Sequence, residues 1–247
     1  LCAIADGTRA VRPRIRESPN MNFSDDGDLR PRAYDLIVFD WDGTLFDSTA
    51  LIVRSIQLAC EDMGLPVPAR HEAAYVIGLG LHDALAHVAP TLPPEQVPAM
   101  GQRYRHHYFR QQGELSLFEG TVELLQALKA RHHWLAVATG KSRQGLNEAL
   151  THVELRGMFD STRTADETAS KPHPLMLQEL MAEFGVEPER TLMIGDTTHD
   201  LQLALNAGTH SVAVSYGAHE PAAFGDFPAR FVAHSTAELR DWLLRHA

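Results

Sequence analysis

Three aspartates follow a short apolar run early in the chain. The run Leu36–Phe39 is unbroken, which is the pattern of a strand buried on both faces of a parallel sheet. Asp40, Asp42 and Asp47 come after it. Parallel strands present functional groups at their carboxyl ends, and carboxylates held close together repel one another unless a cation or a proton lies between them. A divalent metal such as Mg²⁺, bound together with a phosphate group, fits this pattern.

Later strand ends carry residues that suit the same chemistry. Two further apolar runs end at Thr139 and near Asp196, and Lys171 lies on a connection between predicted strands. The chain has only three lysines, and both Lys141 and Lys171 stand where a bound phosphate would need a cation. Because the carboxyl ends of parallel strands meet at one edge of a sheet, these residues are expected to lie beside Asp40.

Each of these residues also has an ordinary explanation when it is taken alone. Thr139 and Gly140 are compatible with a plain strand-to-helix turn, and a lysine is usually a solvated surface charge. Asp196 and Asp200 are also the kind of residue that the helix dipole favours at a helix N-terminus. The agreement among several strand ends favours a functional site over these separate explanations.

The chain is predicted to form an α/β fold with an inserted helical domain. Strand-like and helix-like segments alternate in residues 116–247, which together with residues 34–49 predicts a core domain with a Rossmann-like parallel sheet. Residues 50–115 show helical periodicity only and are predicted to form an all-helical cap domain. Residues 1–33 are rich in arginine and poor in apolar residues, and are predicted to be a disordered tail.

Two parts of the predicted cap bear on the site. The segment Ile77–Leu81 is apolar and glycine-rich, and it is either a loop that faces the site or a break between two helices. The last cap helix carries a run of basic residues, most of which are expected to form a solvated face because consecutive positions point in different directions. These residues are Arg103, Arg105, His106, His107 and Arg110.

From Tyr34 onward the sequence resembles the haloacid dehalogenase superfamily, in its phosphoglycolate-phosphatase-like branch with a helical cap. The matching segments are DWDGTLFDS at 40–48, ATGKSR at 138–143, SKPHP at 170–174 and IGDTTHD at 194–200. The sequence departs from the pattern at Gly140, where many relatives have asparagine, so only the backbone N–H of this residue is given a role. The resemblance implies a haloacid-dehalogenase-like core with an inserted cap.

The resemblance also implies a role for each site residue. Asp40 would be the nucleophile that becomes phosphorylated, and Asp42 would be the general acid and base. Thr139 and the N–H of Gly140 would bind the phosphoryl group, and Lys171 would neutralise its charge.

The metal ligands follow from the same resemblance. Mg²⁺ would be bound by Asp196, by the carboxylate of Asp40 and by the main-chain carbonyl of Asp42. Asp200 would support the metal through water or a hydrogen bond.

The expected function is therefore that of a Mg²⁺-dependent phosphatase that is similar to phosphoglycolate phosphatase. It would hydrolyse a small phosphorylated metabolite through an aspartyl-phosphate intermediate. A sugar phosphomutase of the β-phosphoglucomutase type and a non-catalytic ligand-binding protein are the alternatives. Dehalogenases of the superfamily lack a residue equivalent to Asp42, and phosphonate-cleaving relatives need a cap lysine, whereas residues 48–118 contain none.

Composition sets the remaining expectations. The 247 residues carry a formal net charge of −10, which argues against nucleic acid or an anionic membrane as the main partner. Two cysteines give no disulfide framework, and no apolar stretch reaches the roughly 20 residues of a membrane span. We expect a cytoplasmic enzyme, monomeric or homodimeric, that acts on a small metabolite.

Overall fold

A parallel β-sheet forms the centre of the computed structural model, which describes residues 32–111, 113, 116–151 and 155–247. Its strands are β1 (Leu36–Phe39), β2 (Trp134–Thr139), β3 (Ser161–Thr164), β4 (Thr191–Gly195), β5 (His210–Val214) and β6 (Val232–Ala233). Their order in the sheet is β3-β2-β1-β4-β5-β6, and every neighbouring pair is parallel. This is a Rossmann-like order with its topological switch point between β1 and β4, and it confirms the predicted fold class.

Helices surround the sheet and also form the inserted segment. The inserted helices are α1 (Thr49–Asp62), α2 (Arg70–Tyr75), α3 (Leu81–Val88) and α4 (Val97–Gln111), the last preceded by a 3-10 turn at Pro94–Gln96. The helices of the α/β part are α5 (Thr121–Ala130), α6 (Arg143–Thr151), α7 (Leu175–Phe184), α8 (Thr198–Ala207) and α9 (Thr236–His246). Helix alone was predicted for residues 50–115, and the described residues there form helices, turns and loops. Two isolated β-bridges, which join Phe46 to Asp42 and to Leu117, lie outside that range.

The sheet is buried on both faces because its strands alternate their side chains between two cores. Ile37 and Phe39 of β1 belong to a cluster with buried leucines of α5, α6 and α9. Leu36 and Val38 belong to a second cluster with residues of α7 and α8. All four β1 side chains are fully buried, as the unbroken apolar run predicts.

Two helices begin without a side-chain capping hydrogen bond. Ser48 occupies the N-cap position of α1, but its hydroxyl donates to Asp42 Oδ1 at 2.7 Å and makes no capping hydrogen bond. Thr121 is the first residue of α5 and not its cap, which is Gly120 with φ of 82°. The Ser48 hydroxyl therefore serves the strand end of β1 and not the helix that follows.

Arg32–Ala247 form one compact unit, so the boundaries drawn between a core domain and a cap domain stay predictions. The predicted tail lies almost entirely outside the described residues, as does Gln112 at the predicted end of the last cap helix. Among the described helices, none is both long and apolar enough to cross a membrane.

Candidate active site

The strand ends bring the predicted site residues to one edge of the sheet. Phe39, the last residue of β1, is level with Val137 of β2 and Ile194 of β4. Asp40, which comes next, is therefore flanked by the carboxyl end of β2 and by that of β4. This edge is where ligands bind in open α/β sheets.

Three buried aspartates and one buried lysine form what we call the carboxylate cluster: Asp40, Lys171, Asp196 and Asp200. Lys171 Nζ donates to Asp40 Oδ1 and to Asp200 Oδ1, each at 2.6 Å. Oxygens of the three carboxylates all lie within 4.8 Å of one another. All four side chains are almost completely buried, so the lysine predicted from its place on a connection is a buried ion-pair partner and not a solvated charge.

Neighbouring groups fix the two aspartates that follow β4. Asp196 accepts from the Thr44 hydroxyl at 2.7 Å and from the Ala218 N–H at 2.7 Å. Asp200 accepts from the Thr197 N–H and hydroxyl, which makes it part of the capping box of α8. Asp200 is therefore both the helix-terminal acid of the ordinary explanation and a partner of Lys171.

The carboxylate cluster suits a divalent cation. Three carboxylates and one ammonium leave an excess of negative charge in a buried site, and burial raises the pKa of Asp40 well above its usual range and that of Asp196 to about 7. Asp40 Oδ2 is buried and accepts no hydrogen bond from the described residues. Hard cations prefer carboxylate oxygens, so a metal ion here would balance the excess negative charge of the three carboxylates.

Gly43 makes room for this cluster. It has φ of +86°, and a Cβ at this position would lie 2.2 Å from Asp196 Oδ2. A side chain at residue 43 would therefore collide with the carboxylate that follows β4.

Asp42 lies apart from the carboxylate cluster and has its own cation. Lys141 Nζ donates to both carboxylate oxygens of Asp42 at 2.8 Å, and also to the Tyr108 hydroxyl of α4 at 3.1 Å. Burial lowers the pKa of Lys141, but Asp42, Tyr108 and Tyr104 together raise it above its usual value, so the ammonium is charged. Sequence reasoning noticed Lys141 as a cation but missed its pairing with Asp42.

The segment Ile77–Leu81 lies directly on the strand ends, between α2 and α3. A Cβ on Gly140 would lie 2.3 Å from Leu79 O and 2.5 Å from Gly78 O, and the Gly80 N–H donates to Ser170 Oγ at 2.8 Å. Thr139, buried just before Gly140, accepts a hydrogen bond from the Lys141 N–H at 3.2 Å. The glycine-rich segment is thus a loop against the site, and Gly140 leaves space for its carbonyls.

A second contact between inserted helices and sheet uses residues that sequence reasoning missed. His199 Nε2 and His219 Nε2 both donate to the carbonyl of Tyr75, at 2.7 and 3.0 Å. The Thr198 N–H donates to His219 Nδ1, which fixes the tautomer of that ring. Burial lowers the pKa of both histidines, so each is a neutral donor. No spacing in the sequence signals that one carbonyl accepts from two imidazoles.

A cavity of about 100 Å³ lies between the strand ends and the inserted helices, and we call it the cap cavity. Asp40 and Asp42 lie at the sheet side of its lining, and Ile52, Ile77 and Leu85 are among its apolar residues. Its remaining polar lining includes Thr139, Gly140, Lys141, Ser142, Tyr104, Arg105 and Tyr108. The cavity is therefore a small, largely apolar space that borders Asp40 and Asp42, the two aspartates that follow β1.

Residues 37–214 match the model of the haloacid dehalogenase-like hydrolases. The chain belongs to this family. Over 189 residues it is 36% identical to a protein of Dickeya dadantii (strain 3937) named probable phosphatase IndB, which covers 74% of this chain and 82% of that protein.

Two further relatives carry names that specify a substrate. The chain is 34% identical to a phosphoglycolate phosphatase of Aliivibrio fischeri over 74% of this chain and 84% of that protein. It is 32% identical to the pyrophosphatase PpaX of Bacillus mycoides over 73% of this chain and 83% of that protein.

A crystal structure of a hydrolase from Pseudomonas syringae shares the fold. It superposes with a TM-score of 0.78 at 23% identity, over 85% of this chain and 98% of the other. The prediction of an enzyme of the haloacid dehalogenase phosphatase type is confirmed by the family match and by the relatives.

Proposed function

We propose that the chain is a Mg²⁺-dependent phosphatase that hydrolyses a small phosphorylated metabolite through an aspartyl-phosphate intermediate. The observation that supports this most strongly is the state of Asp40, whose Oδ2 is buried and receives no hydrogen bond from the described part of the chain, while Lys171 holds Oδ1. A carboxylate fixed in this way is oriented for attack through one oxygen.

In the proposed first step, Asp40 attacks the phosphorus in line and the bond to the leaving oxygen breaks. Lys171 keeps Asp40 in place, and the Thr139 hydroxyl and the Gly140 N–H bind the oxygens of the phosphoryl group. Asp196, Asp40 and the main-chain carbonyl of Asp42 would hold Mg²⁺, with Asp200 in support. When bound, Mg²⁺ supplies positive charge that offsets the carboxylates and the phosphoryl group.

Asp42 moves the proton in both proposed steps. In its acid form it gives a proton to the leaving oxygen, so that an alcohol or an acid departs and Asp42 becomes a carboxylate. It then takes a proton from the water that attacks the aspartyl-phosphate, which releases inorganic phosphate and restores the acid form. Asp42 suits this role because its side chain lies outside the carboxylate cluster.

The size of the cap cavity supports a short leaving group. At about 100 Å³ the cavity is smaller than an engineered cavity of about 150 Å³ that takes up benzene. A leaving group smaller than a six-membered ring therefore fits the cavity of this structure best, which favours phosphate hydrolysis over the phosphomutase alternative. The leaving groups implied by the names of two relatives, glycolate and phosphate, are of this small size.

The surroundings in which the enzyme acts are proposals of the same kind. We propose a cytoplasmic protein, monomeric or homodimeric, whose partner is a small phosphorylated metabolite and not nucleic acid or a membrane. The formal net charge of −10 supports the exclusion of polyanionic partners.

The test is a panel of phosphorylated metabolites, assayed for inorganic phosphate release with Mg²⁺ and again after chelation by EDTA. We expect turnover on the order of 1 s⁻¹ or faster for at least one short ester, and its loss with EDTA. An isomerised sugar phosphate formed without phosphate release would support the phosphomutase instead. Binding without release of any product would support the non-catalytic alternative.

A further inference from the structure

The cap cavity is lined by several side chains that can donate hydrogen bonds. Lys141 and Tyr108 contact each other at its wall, and the ring of Tyr104 lies 5.9 Å from that of Tyr108. Arg105 also lines the cavity and forms no ion pair with any described residue. These side chains lie at the mouth and wall of a space whose remaining lining is mostly apolar.

Lys141 already uses all three N–H donors of its ammonium group in this structure. Two hydrogen bonds go to the oxygens of Asp42 and one goes to Tyr108, and the lysine side chain is only 11% exposed. Ser48 also donates to Asp42 Oδ1. Both oxygens of Asp42 therefore accept hydrogen bonds from the protein, and the two bonds from Lys141 fix the orientation of a carboxylate that must face the leaving oxygen in the proposed reaction.

An anionic group on the leaving group would release Asp42 from these two bonds. A carboxylate or a phosphate in the cap cavity competes with Asp42 for the same ammonium, and the Tyr108 hydroxyl stands beside that ammonium as a further donor. Because burial raises the pKa of Tyr104 and Tyr108, both hydroxyls stay protonated. An uncharged leaving group offers Lys141 no charged partner and leaves it on Asp42.

We propose that Lys141 determines substrate specificity by exchanging Asp42 for an anionic group on the leaving group. The substrate class is then a phosphate ester or anhydride whose leaving group carries a carboxylate or a second phosphate close to the bridging oxygen. Binding of that group to Lys141 frees the oxygens of Asp42 to face the leaving oxygen. This inference rests on the proposed phosphatase function, which names no such requirement.

The experiment compares two esters of nearly equal size with Mg²⁺ present: the phosphate ester of glycolic acid and that of its uncharged amide, glycolamide. We expect the wild-type protein to prefer the acid by roughly 10- to 100-fold in kcat/KM, the range for a hydrogen bond to a charged group. Lys141→Met should abolish that preference, because the loss in kcat/KM should be about 10-fold or more larger on the acid than on the amide. Lys129→Met, which alters an ion pair with Asp160 away from the cavity, is the matched control and should keep the preference.

A second measurement needs no variant. Glycolate should inhibit the wild-type protein more strongly than glycolamide, because it would bind the same ammonium. An equal loss on both esters in Lys141→Met would overturn the inference, since Lys141 would then only position Asp42. Hydrolysis of both esters without preference, or equal inhibition by the two products, would overturn it as well. Turnover of no ester or anhydride in the metabolite panel would contradict the proposed function itself.

Discussion

The carboxylate cluster and the cap cavity are the two halves of the site, and they are built differently. The cluster consists of the aspartates that follow β1 and β4 together with Lys171, and all of these side chains are buried in the α/β part. The cap cavity combines Lys141, which follows β2, with Tyr108 of the inserted helix α4. The carboxylate cluster is therefore built within the α/β part alone. The cap cavity, in contrast, depends on the contact between α4 and the end of β2.

This difference separates general chemistry from substrate choice. Groups in the carboxylate cluster cannot move without disturbing buried ion pairs, so they would act alike on every substrate. Groups of the cap cavity lie on two elements, so their arrangement depends on what lies between them. Damage to the first half should abolish all turnover, whereas damage to the second should change the order of preference among substrates.

The largest effect is expected from Asp40→Asn. Loss of the proposed nucleophile should reduce phosphate release by several powers of ten for every substrate, while the protein stays folded. Phosphate release and thermal unfolding measure the two parts of this prediction. Asp241→Asn, at an exposed position on α9, is the matched control. A variant that kept a tenth or more of the wild-type rate would contradict the role of Asp40.

Asp42 lies between the carboxylate cluster and the cap cavity, and the loss of rate in Asp42→Asn should depend on the leaving group. Poor leaving groups need a proton, so their esters should lose roughly 10²- to 10⁴-fold in rate. An aryl phosphate leaves without that help, so a burst of aryl alcohol equal to the enzyme concentration should precede slow turnover. Rapid-quench measurement of the burst checks this. Loss of both the burst and Mg²⁺ binding would mean that the Asp42 side chain is a metal ligand.

The smallest effect is expected from Tyr108→Phe. The variant removes one neutral hydroxyl beside Lys141, so kcat/KM for a substrate with an anionic leaving group should fall about 2- to 10-fold. Rates for an aryl phosphate should hardly change. Tyr75→Phe is the control, because only the main-chain carbonyl of Tyr75 is hydrogen-bonded to His199 and His219. An equal loss on all substrates would show that Tyr108 belongs with the general chemistry.

The sequence predicted the sheet and the convergence at its edge because both depend on local signals. An unbroken apolar run such as Leu36–Phe39 indicates a strand buried on two faces, and the parallel arrangement then brings Asp40 and Asp196 together. The periodicity of the inserted segment likewise predicted that residues 50–115 are helical, and α1 to α4 lie there.

The cap cavity could not be predicted in the same way. Its contacts depend on how α4 is rotated against the sheet, and a run of consecutive basic residues does not reveal which of them faces inward. In the structure Arg105 lines the cavity, whereas His107 Nε2 lies 2.8 Å from Oδ2 of Asp62 on α1. The pairing of Lys141 with Asp42 joins residues 99 positions apart, which no local pattern encodes.

The contact of Gly140 with the glycine-rich loop has a consequence for how such a site can diverge. The loop contributes the main-chain carbonyls of Gly78 and Leu79 to this contact, and Gly140 contributes no side chain. This contact therefore does not involve the side chains of Leu79 and Leu81, which line the cavity and pack against the inserted helices. Substitutions of these two leucines can adapt the cavity to another metabolite while the contact with the loop is kept, provided that residue 140 remains glycine.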